Sequence, residues 1–432
     1  MHYIKNYDSL ATNENRKIVL SMIEAAYAAI QPREVLQKYF TLKDKKLTIL
    51  KKHFDLSTFE RVFVIGFGKG SALMCKIIEE KLAPIESELG EKFKGGFVID
   101  VVDQKFKKLH YTVGTHPLPS QKNLDFTTNV IKNLAGLTEK DLVIITTCGG
   151  GSVLFEAPHK LTLDGIIGVN KALLKSGATI SEMNAIRKHL SKVKGGGLAK
   201  ILYPATVVNL LFSDVPGNDL SVIASGPLVK DHTTIEEATA IYKKYELAEY
   251  KAFSPDDFVE TPKEAKYFEH VSNILMLSNL TALDAMEKKA RSFGYNAYIF
   301  DDRLQGDAHE IGKKLIHETQ QGEILLAGGE TTVKVKGTGK GGRNQTVVLS
   351  TLSEISGNTV IASFGTDGWD FYGFAGAIGD KDTQKKITDK QLDVGEFLDN
   401  DNSYEFWKET GDGIDTGKLD SNVADLFIVF KK

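Results

Sequence analysis

Cysteine is scarce in this sequence, and its scarcity excludes two kinds of stabilisation. Only two cysteines, Cys75 and Cys148, occur among the 432 residues, and they lie far apart along the chain. A disulfide framework and a cysteine-built metal centre both need more thiols at closer spacing. The sequence therefore predicts a protein that folds around its own hydrophobic core in a reducing compartment.

An excess of charge and long apolar runs are also missing. The formal net charge is -3, which gives no reason to expect nucleic-acid binding. No uninterrupted apolar run is long enough to cross a bilayer, and the first residues do not resemble a secretory signal peptide. We therefore expect a cytoplasmic protein without nucleic-acid or membrane partners. The sequence leaves the oligomeric state open, with a homodimer as one option.

Buried-strand patterns that alternate with helical ones are plentiful, and they predict an α/β fold. With 42% hydrophobic residues the chain can bury a sizeable core, and its 432 residues suggest two or three domains. Residues 251–267 are polar, contain prolines and show no clear period, so we interpret them as the linker region. The expected organisation is two α/β units in series, at residues 1–255 and 270–432.

A glycine turn follows the first buried strand, which covers residues 61–65. Its sequence, Gly66-Phe67-Gly68-Lys69-Gly70-Ser71, is half of a dinucleotide fingerprint, with Ser71 in place of the third glycine. A lysine beside free N–H groups at a helix N-terminus is suited to phosphate binding. An ordinary strand-to-helix turn with Lys69 in solvent is the alternative interpretation, and the motif alone does not separate the two.

A second glycine loop follows the apolar strand at residues 141–147. Gly149, Gly150 and Gly151 at a strand end, followed by Ser152, predict an anion-binding loop where open α/β sheets bind ligands. We interpret Ser152 as a hydroxyl donor to the anion, because Gly-Gly-Gly-Ser-Val is not the nucleophile elbow Gly-x-Ser-x-Gly. A helix N-cap is the alternative role for Ser152.

Charged residues occupy a predicted helix that begins with Ser181 as its cap. Asn184, Arg187 and Ser191 fall on one face of this helix, and a third glycine loop follows. Asp214 comes just after the next strand, where a carboxylate can bind a metal ion or take a proton. A solvated helix face and an Asx-turn are the respective alternatives.

The C-terminal half contains the densest group of glycines and charges. Residues 324–335 predict a buried strand, a glycine turn with Glu330, and a second strand. The following loop, residues 337–345, places glycines around Lys340 and Arg343. Such a loop suits an anion as well as it suits a tight hairpin with a solvated basic tip. Asp367 lies at a further strand end.

Three acids and three bases in these positions fit phosphoryl transfer. Cations and Mg²⁺ spread the charge of the transferred group, and an acid orients or deprotonates the attacking hydroxyl. Neither a Walker A motif nor the protein-kinase motifs are present. The residues alone therefore indicate an anion-binding α/β enzyme and no more. The acids are Asp214, Glu330 and Asp367, and the bases are Lys69, Arg187 and Arg343.

The order of the motifs resembles that of the glycerate 2-kinase family, whose C-terminal domain is called MOFRL. The resemblance covers nearly the whole chain and implies an ATP- and Mg²⁺-dependent kinase that phosphorylates D-glycerate, typically to 2-phosphoglycerate. The implied fold is a Rossmann-like N-terminal domain and a smaller α/β MOFRL-type C-terminal domain, with the active-site cleft between them. The resemblance rests on runs such as Gly114-Thr115-His116-Pro117, Asn184-Ala185-Ile186-Arg187-Lys188-His189, Ser213-Asp214-Val215 and Gly341-Gly342-Arg343-Asn344-Gln345.

The resemblance also implies active-site roles for six residues: Lys69, Asp214, Glu330, Arg343, Asp367 and Asn422. Asn422 enters on the resemblance alone. We expect Lys69, Asp214 and Arg343 to be catalytic, and Glu330 and Asp367 to place Mg²⁺. Glycerate and phosphate would be bound by Arg187, Ser191, Asn422 and the loop of Gly149, Gly150, Gly151 and Ser152.

Departures from the family pattern cluster in loops. Asn218 replaces the first acid of a usual acidic pair, and the segment after Asp367 contains the bulky residues Trp369, Phe371 and Tyr372. These changes leave open a kinase that acts on another small hydroxy or sugar acid. Two further hypotheses are a hydroxypyruvate reductase-type oxidoreductase and a non-catalytic sugar-acid-binding protein.

Overall fold

Helices and strands alternate along the chain in the computed structural model, which describes residues 2–83 and 92–432. The helices are α1 Tyr7–Leu10, α2 Glu14–Ala29, α3 Pro32–Tyr39, α4 Ser71–Leu82, α5 Gln121–Asn133, α6 Gly151–Leu154, α7 Leu163–Ser176, α8 Ile180–Leu190, α9 Gly197–Leu202, α10 Ile235–Lys244, α11 Asn279–Ser292, α12 Ala308–Glu318, α13 Arg343–Leu349, α14 Lys381–Lys390, α15 Val394–Asp399 and α16 Ser403–Thr410. The strands are β1 Phe40–Lys43, β2 Lys46–Ile49, β3 Lys52–Asp55, β4 Arg61–Phe67, β5 Phe93–Asp100, β6 Leu109–Val113, β7 Asp141–Thr147, β8 Thr206–Phe212, β9 Val271–Leu277, β10 Asn296–Asp307, β11 Glu323–Thr332, β12 Thr359–Gly365, β13 Gly376–Gly379, β14 Gly413–Ile414 and β15 Asp425–Lys431.

Contacts between these elements divide the chain into two units. The central unit is Val35–Met276, and the terminal unit is Met1–Glu34 together with Leu277–Lys432. This grouping differs from the division at residues 1–255 and 270–432, because helix α2 belongs to the terminal unit. Helix α2 packs there against α11 and is also joined to the unit by a buried ion pair, in which the guanidinium of Arg16, with no exposed surface, donates to Asp380 and Asp412 at 2.6–2.9 Å.

The central unit is built on a sheet of order β6-β5-β4-β7-β8-β9. The pairs from β6 to β8 are parallel. This is the order of a doubly wound, Rossmann-like sheet, whose ligands bind where the order reverses, here between β4 and β7. The register pairs Phe67 with Thr147, so the chain leaves both strands side by side at this point. The Rossmann-like α/β fold expected from the sequence is confirmed.

The terminal unit contains a mixed sheet of order β10-β11-β15-β12-β13-β14. Strand β15 lies antiparallel between β11 and β12, and the segment from Leu426 to Phe430 is fully buried. Helix α13 packs on this sheet together with α16, which contributes the buried Phe406 and Trp407. This is the second, smaller α/β unit that the sequence predicts.

Residues 40–55 form the antiparallel sheet β1-β2-β3, most of whose side chains are exposed. Two local predictions differ from the structure. Strand β9, predicted to begin the second unit, lies at the edge of the first sheet beside β8. The interpreted linker packs instead, because Phe253 and Phe258 are buried in a cluster with α7, α8 and α10.

Within the part of the chain that the structure describes, none of the helices combines the length and apolar character needed to cross a membrane.

Candidate active site

Lys69 and the glycine loop after β7 meet at the reversal point of the central sheet. The N–H group of Lys69 donates to the carbonyl of Gly149 at 2.7 Å. A Cβ atom on Gly150 would lie 3.2 Å from Cε of Lys69 and 3.1 Å from Nε2 of His116. Both side chains therefore pack against this loop. Burial lowers the pKa of His116, and the charge of Lys69 lowers it further, so the imidazole is neutral at pH 7.

Asp214 approaches the same loop from the end of β8. A Cβ atom on Gly149 would lie only 2.0 Å from Oδ2 of Asp214, so no larger residue fits at position 149 without displacing the carboxylate. Lys69, His116 and Asp214 thus surround residues 149–151. The sequence indicated Lys69 and Asp214 as candidate catalytic residues, whereas His116 stood out there only as part of one family motif.

Ser152 is held by two residues that the sequence analysis did not select as site residues. Its Oγ lies 2.8 Å from Oγ of Ser225, which in turn donates to Oδ1 of Asn184 at 2.9 Å. Because Ser225 donates its one proton to Asn184, Ser152 must donate to Ser225, which leaves its oxygen as an acceptor. This differs from the predicted donor role. Ser152 is not the N-cap of α6 either, since that position is Gly150.

Ser225 has an unusual backbone as well as a buried hydroxyl. Its φ is +61°, and that of the preceding Ala224 is +50°, a region that residues with a Cβ rarely occupy. Ser225 has no exposed surface. Such conformations cost about 1–3 kcal/mol each and persist only where the surroundings enforce them, often at functional sites. The Ala-Ser-Gly-Pro run was the available sequence signal.

Arg187 lies one helical turn after Asn184, and its side chain is partly buried. Among residues 2–83 and 92–432, its Nε is buried with no hydrogen-bond partner. Burial lowers the pKa of Arg187, and the charge of Glu156 opposes this only in part. A guanidinium with an unsatisfied buried N–H group is costly unless a ligand completes it. This supports the predicted role of Arg187 in binding an anion.

Ser191, predicted beside Arg187 as a ligand contact, has a different partner in the structure. Its hydroxyl donates to Oε1 of the buried Glu156 at 2.6 Å, and Lys194 forms an ion pair with the other oxygen of Glu156. The hydroxyl therefore stabilises a buried charge network. The helix that carries Arg187 is capped by Thr179 rather than Ser181, because Thr179 and Glu182 form a capping box.

In the terminal unit, strand register assembles a second group of charges. Asp425, the first residue of β15, pairs with Gly329 of β11 on one side and Gly365 of β12 on the other. Glu330 and Asp367 follow those glycines, so three carboxylates lie at one edge of the sheet. The glycine turn predicted before Glu330 is absent, because β11 continues through it. Gly329 is required there instead by close contact with the backbone of Leu304.

Arg343 binds two of these carboxylates. Its Nε donates to Asp425 at 2.6 Å, and Nη1 donates to Glu330 at 2.6 Å. The two carboxylates raise the pKa of Arg343 against the opposing effect of burial. Burial raises the pKa of Asp425 to about 6, although Arg343 opposes this. Asp425 was missed by the sequence analysis, and its signal was an acid at the first position of an otherwise apolar strand.

Asp370 fixes the helix that begins at Arg343. Its carboxylate accepts from the N–H groups of Asn344 and Gln345 at 3.2 and 2.8 Å, which satisfies donors in the first turn of α13. Asp370 is buried, and this burial raises its pKa to about 7, with the charge of Asp425 adding to the effect. By holding the first turn of α13, Asp370 thus helps to position Arg343 at the start of this helix.

The glycine loop around Lys340 does not form the anion-binding loop that is one of its two interpretations. Its N–H groups bind residues 400–402 instead: Gly337 donates to Asp401, Thr338 to Asn400, and Lys340 to Asn402. A Cβ atom on Gly337 or Gly339 would lie within 2.5 Å of the backbone of Asn400. The glycines therefore serve the close approach of two chain segments.

Asp367 and Asn422 lie on adjoining loops. Thr366 donates from its hydroxyl to the carbonyl of Ala424 at 2.6 Å and accepts from the N–H of Val423 at 2.8 Å. Oδ1 of Asn422 accepts from the N–H of Ala424, and Oδ1 of Asp367 accepts from that of Trp369. The structure thus brings Asn422, known at first only from the resemblance, next to the loop of Asp367.

Comparison with known proteins finds relatives over nearly the whole chain. A domain of unknown function (DUF4147) matches residues 18–254, and the MOFRL family matches residues 323–425. A glycerate 2-kinase of Pyrococcus horikoshii is 34% identical over 96% of each chain, and a D-glycerate 2-kinase of Thermotoga maritima is 33% identical over 96% of this chain and 97% of its own. The crystal structure of a Thermotoga maritima glycerate kinase has a TM-score of 0.82 at 30% identity, covering 96% of this chain and 99% of that one.

The fold and the charged sites define an α/β enzyme with a MOFRL domain. The chain belongs to the glycerate 2-kinase family, as the resemblance in the sequence indicated.

Proposed function

We propose that this protein transfers the γ-phosphoryl group of ATP to the 2-hydroxyl of D-glycerate, with Mg²⁺, giving 2-phosphoglycerate and ADP. The observation that carries the proposal is the buried Nε of Arg187, which has no hydrogen-bond partner among residues 2–83 and 92–432. Arg187 lies one helical turn from Asn184. Asn184 is linked through Ser225 to Ser152 at the end of the glycine loop. A small carboxylate would complete the hydrogen bonding of this guanidinium, and the adjacent groups suit reaction at a neighbouring hydroxyl.

Each group has a role in this scheme. Arg187 binds the carboxylate of glycerate, and the oxygen of Ser152 accepts from a hydroxyl of the same molecule. Asp214 orients the 2-hydroxyl and takes its proton as the oxygen forms a bond to the γ-phosphorus. The bond from that phosphorus to the bridging oxygen of ADP breaks, and Lys69 and Arg343 offset the charge that develops on the transferred group.

Glu330 and Asp367 are the residues that would hold Mg²⁺. Within residues 2–83 and 92–432, no group of three or more His, Cys, Asp or Glu side chains is arranged to hold a metal. Mg²⁺ at kinase sites is commonly bound by one or two carboxylates together with substrate phosphates, so two carboxylates at one sheet edge fit this ion. When bound, it would neutralise charge on the phosphates.

The test is an assay of purified protein with D-glycerate, ATP and Mg²⁺, with the product identified by phosphorus NMR. We expect ADP release that depends on glycerate and is lost with excess EDTA, and a phosphate on the 2-hydroxyl. A phosphate on the 3-hydroxyl would correct the regiochemistry. Absence of turnover with glycerate, but turnover with another small hydroxy acid, would replace the acceptor.

The oxidoreductase hypothesis is tested in the same preparation. Lys69 and Ser71 in the first glycine turn do not favour a dinucleotide, because the third glycine of the fingerprint is missing. We expect neither NADH nor NADPH to be consumed with hydroxypyruvate. Consumption of either would establish the reductase instead. Glycerate binding without any turnover would support the non-catalytic hypothesis.

A further inference from the structure

A cavity in the terminal unit is not used by the roles assigned above. It has a volume of about 410 Å³, which falls in the range of small-molecule sites. Thr331, Val333, Val335, Arg343, Phe371 and Tyr372 contribute to its lining. Arg343 thus belongs both to this cavity and to the charged cluster at the sheet edge.

The aromatic wall of the cavity is exposed in a way that packing does not explain. Phe371 is 84% exposed, and its φ of +63° is unfavourable for a bulky residue. The loop that carries it is nevertheless fixed from below, because the side-chain amide of the buried Gln345 donates to the carbonyls of Asp370 and Tyr372. The fold therefore presents an aromatic ring to solvent at a defined position.

The cavity also has polar groups that lack a complete set of partners. Thr331 is fully buried, and among residues 2–83 and 92–432 its hydroxyl has no hydrogen-bond partner. The ammonium of Lys340 lies 5.0 Å from the ring centre of Tyr372. A ligand for this site would combine a flat apolar ring, a polar edge for Thr331, and a negative charge near Lys340 and Arg343.

We propose that this cavity binds the purine base of the nucleotide that donates the phosphoryl group, and this inference rests on the proposed function. The base stacks on Phe371 and Tyr372 and contacts Val333 and Val335, while Thr331 bonds to its edge. Aromatic side chains are effective partners for bases because every base has a π-face. The phosphates extend from the base toward Arg343.

The test is direct binding of ADP and of inorganic tripolyphosphate by calorimetry, with no glycerate present. For Phe371→Ala and Thr331→Val we expect ADP binding to weaken at least about tenfold, the loss of one stacking or hydrogen-bonding contact. Tripolyphosphate has no base, so its binding should be unchanged in both variants. Phe293→Ala removes another exposed phenylalanine of the terminal unit, which does not line the cavity, and serves as the control with unchanged ADP binding.

The outcomes separate this inference from the proposed function. Failure of the wild-type protein to bind ADP overturns the inference, and so does equal ADP binding by the wild-type protein and both variants. If Phe371→Ala and Thr331→Val weaken ADP binding but the wild-type protein does not turn over glycerate, the base site is supported and the proposed glycerate kinase activity is rejected. If the wild-type protein turns over glycerate and Phe371→Ala leaves the KM for ATP unchanged, the kinase activity is supported and the base site is rejected.

Discussion

The two charged clusters of this protein treat their arginines in opposite ways. Arg343 of the terminal unit is bound by Asp425 and Glu330, whereas Arg187 of the central unit has a buried N–H group without a described partner. An arginine that two carboxylates already bind is held in position, whereas one with an unsatisfied buried N–H group is available to an incoming anion. Residue type alone therefore does not distinguish an arginine held by carboxylates of the protein from one whose N–H groups can bind a ligand.

The largest expected effect separates positioning from stability. We predict that Arg343→Ala and Lys69→Ala each lower kcat by about a thousandfold, roughly 4 kcal/mol, because both groups offset charge in the transition state. Arg343→Ala should also lower the free energy of unfolding by about 3 kcal/mol, since it leaves Asp425 buried without its partner. The exposed Lys69 should cost no stability. Kinetics and urea denaturation of both variants measure this.

The control for this pair is Arg291→Ala, which removes an exposed ion pair with Glu287 in the same unit. It should change neither quantity measurably, because such surface pairs contribute about 0–1 kcal/mol. Near-normal kcat in either active-site variant would remove that residue from the mechanism.

The second prediction is that substitution of Arg187 changes the free energy of unfolding in the opposite direction from substitution of Arg343. Arg187→Met should raise the KM for glycerate about a hundredfold, through loss of a charge-assisted hydrogen bond worth roughly 1.5–3 kcal/mol. It should also raise the free energy of unfolding by about 1 kcal/mol, because an unsatisfied buried donor is removed. A lower free energy of unfolding in Arg187→Met would show that groups of the protein itself satisfy the N–H donors of Arg187. The contrast with Arg343 would then be wrong.

The third prediction concerns pH. The pKa of Asp370 is raised from 3.8 to about 7, so the folded state opposes ionisation of this carboxyl. The contribution of Asp370 to the free energy of unfolding is therefore fully present below the pKa that this carboxyl has in the unfolded chain. It decreases as the pH rises toward 7. At roughly 1.4 kcal/mol per pKa unit, the loss from pH 5 to pH 7 is about 2 kcal/mol. Asp370→Asn should flatten this slope in urea denaturation at pH 5, 6, 7 and 8. An equal slope in both proteins would contradict the assignment.

The smallest predicted effect tests the serine pair. Ser225→Ala removes the hydroxyl that accepts from Ser152 and should lower kcat/KM for glycerate by about fivefold, which corresponds to one hydrogen bond of roughly 1 kcal/mol. The exposed Ser292, whose hydroxyl donates to the carbonyl of Lys289 within its own helix, provides the control Ser292→Ala. Unchanged kinetics in Ser225→Ala would assign this pair to structure alone.

The parts of the fold that the sequence predicted are those with strong local patterns. Strand β7 begins and ends where its apolar run does, and α2 begins after Asn13, whose side chain caps it. Strand β9 and the segment with Phe253 and Phe258 were assigned differently because their partners are distant in sequence. Local period gives the element type, but it does not say which sheet an edge strand joins.

The candidate site shows the same division. Strand-end positions indicated Lys69 and Asp214, because parallel strands place such residues at one edge. Glu330 was selected from a predicted glycine turn that the structure replaces by a continuous strand. Asp425 and Ser225 could not be selected in this way. The role of Asp425 depends on the antiparallel insertion of β15, and that of Ser225 on a backbone conformation with positive φ. Likewise, the glycines at 337–341 follow from contact with residues 400–402, which no local pattern contains.

The place of β15 between β11 and β12 also has a consequence for how this chain is made. Without β15 these two strands have no hydrogen bonds to each other, so the sheet of the terminal unit stays divided until residue 431 has emerged from the ribosome. Arg16 is synthesised early, but its ion pairs can form only after Asp380 and Asp412 have been synthesised. The contacts of the central unit, in contrast, lie within one continuous stretch of chain. Folding during synthesis therefore starts in the middle of the sequence, and the ends of the chain join last.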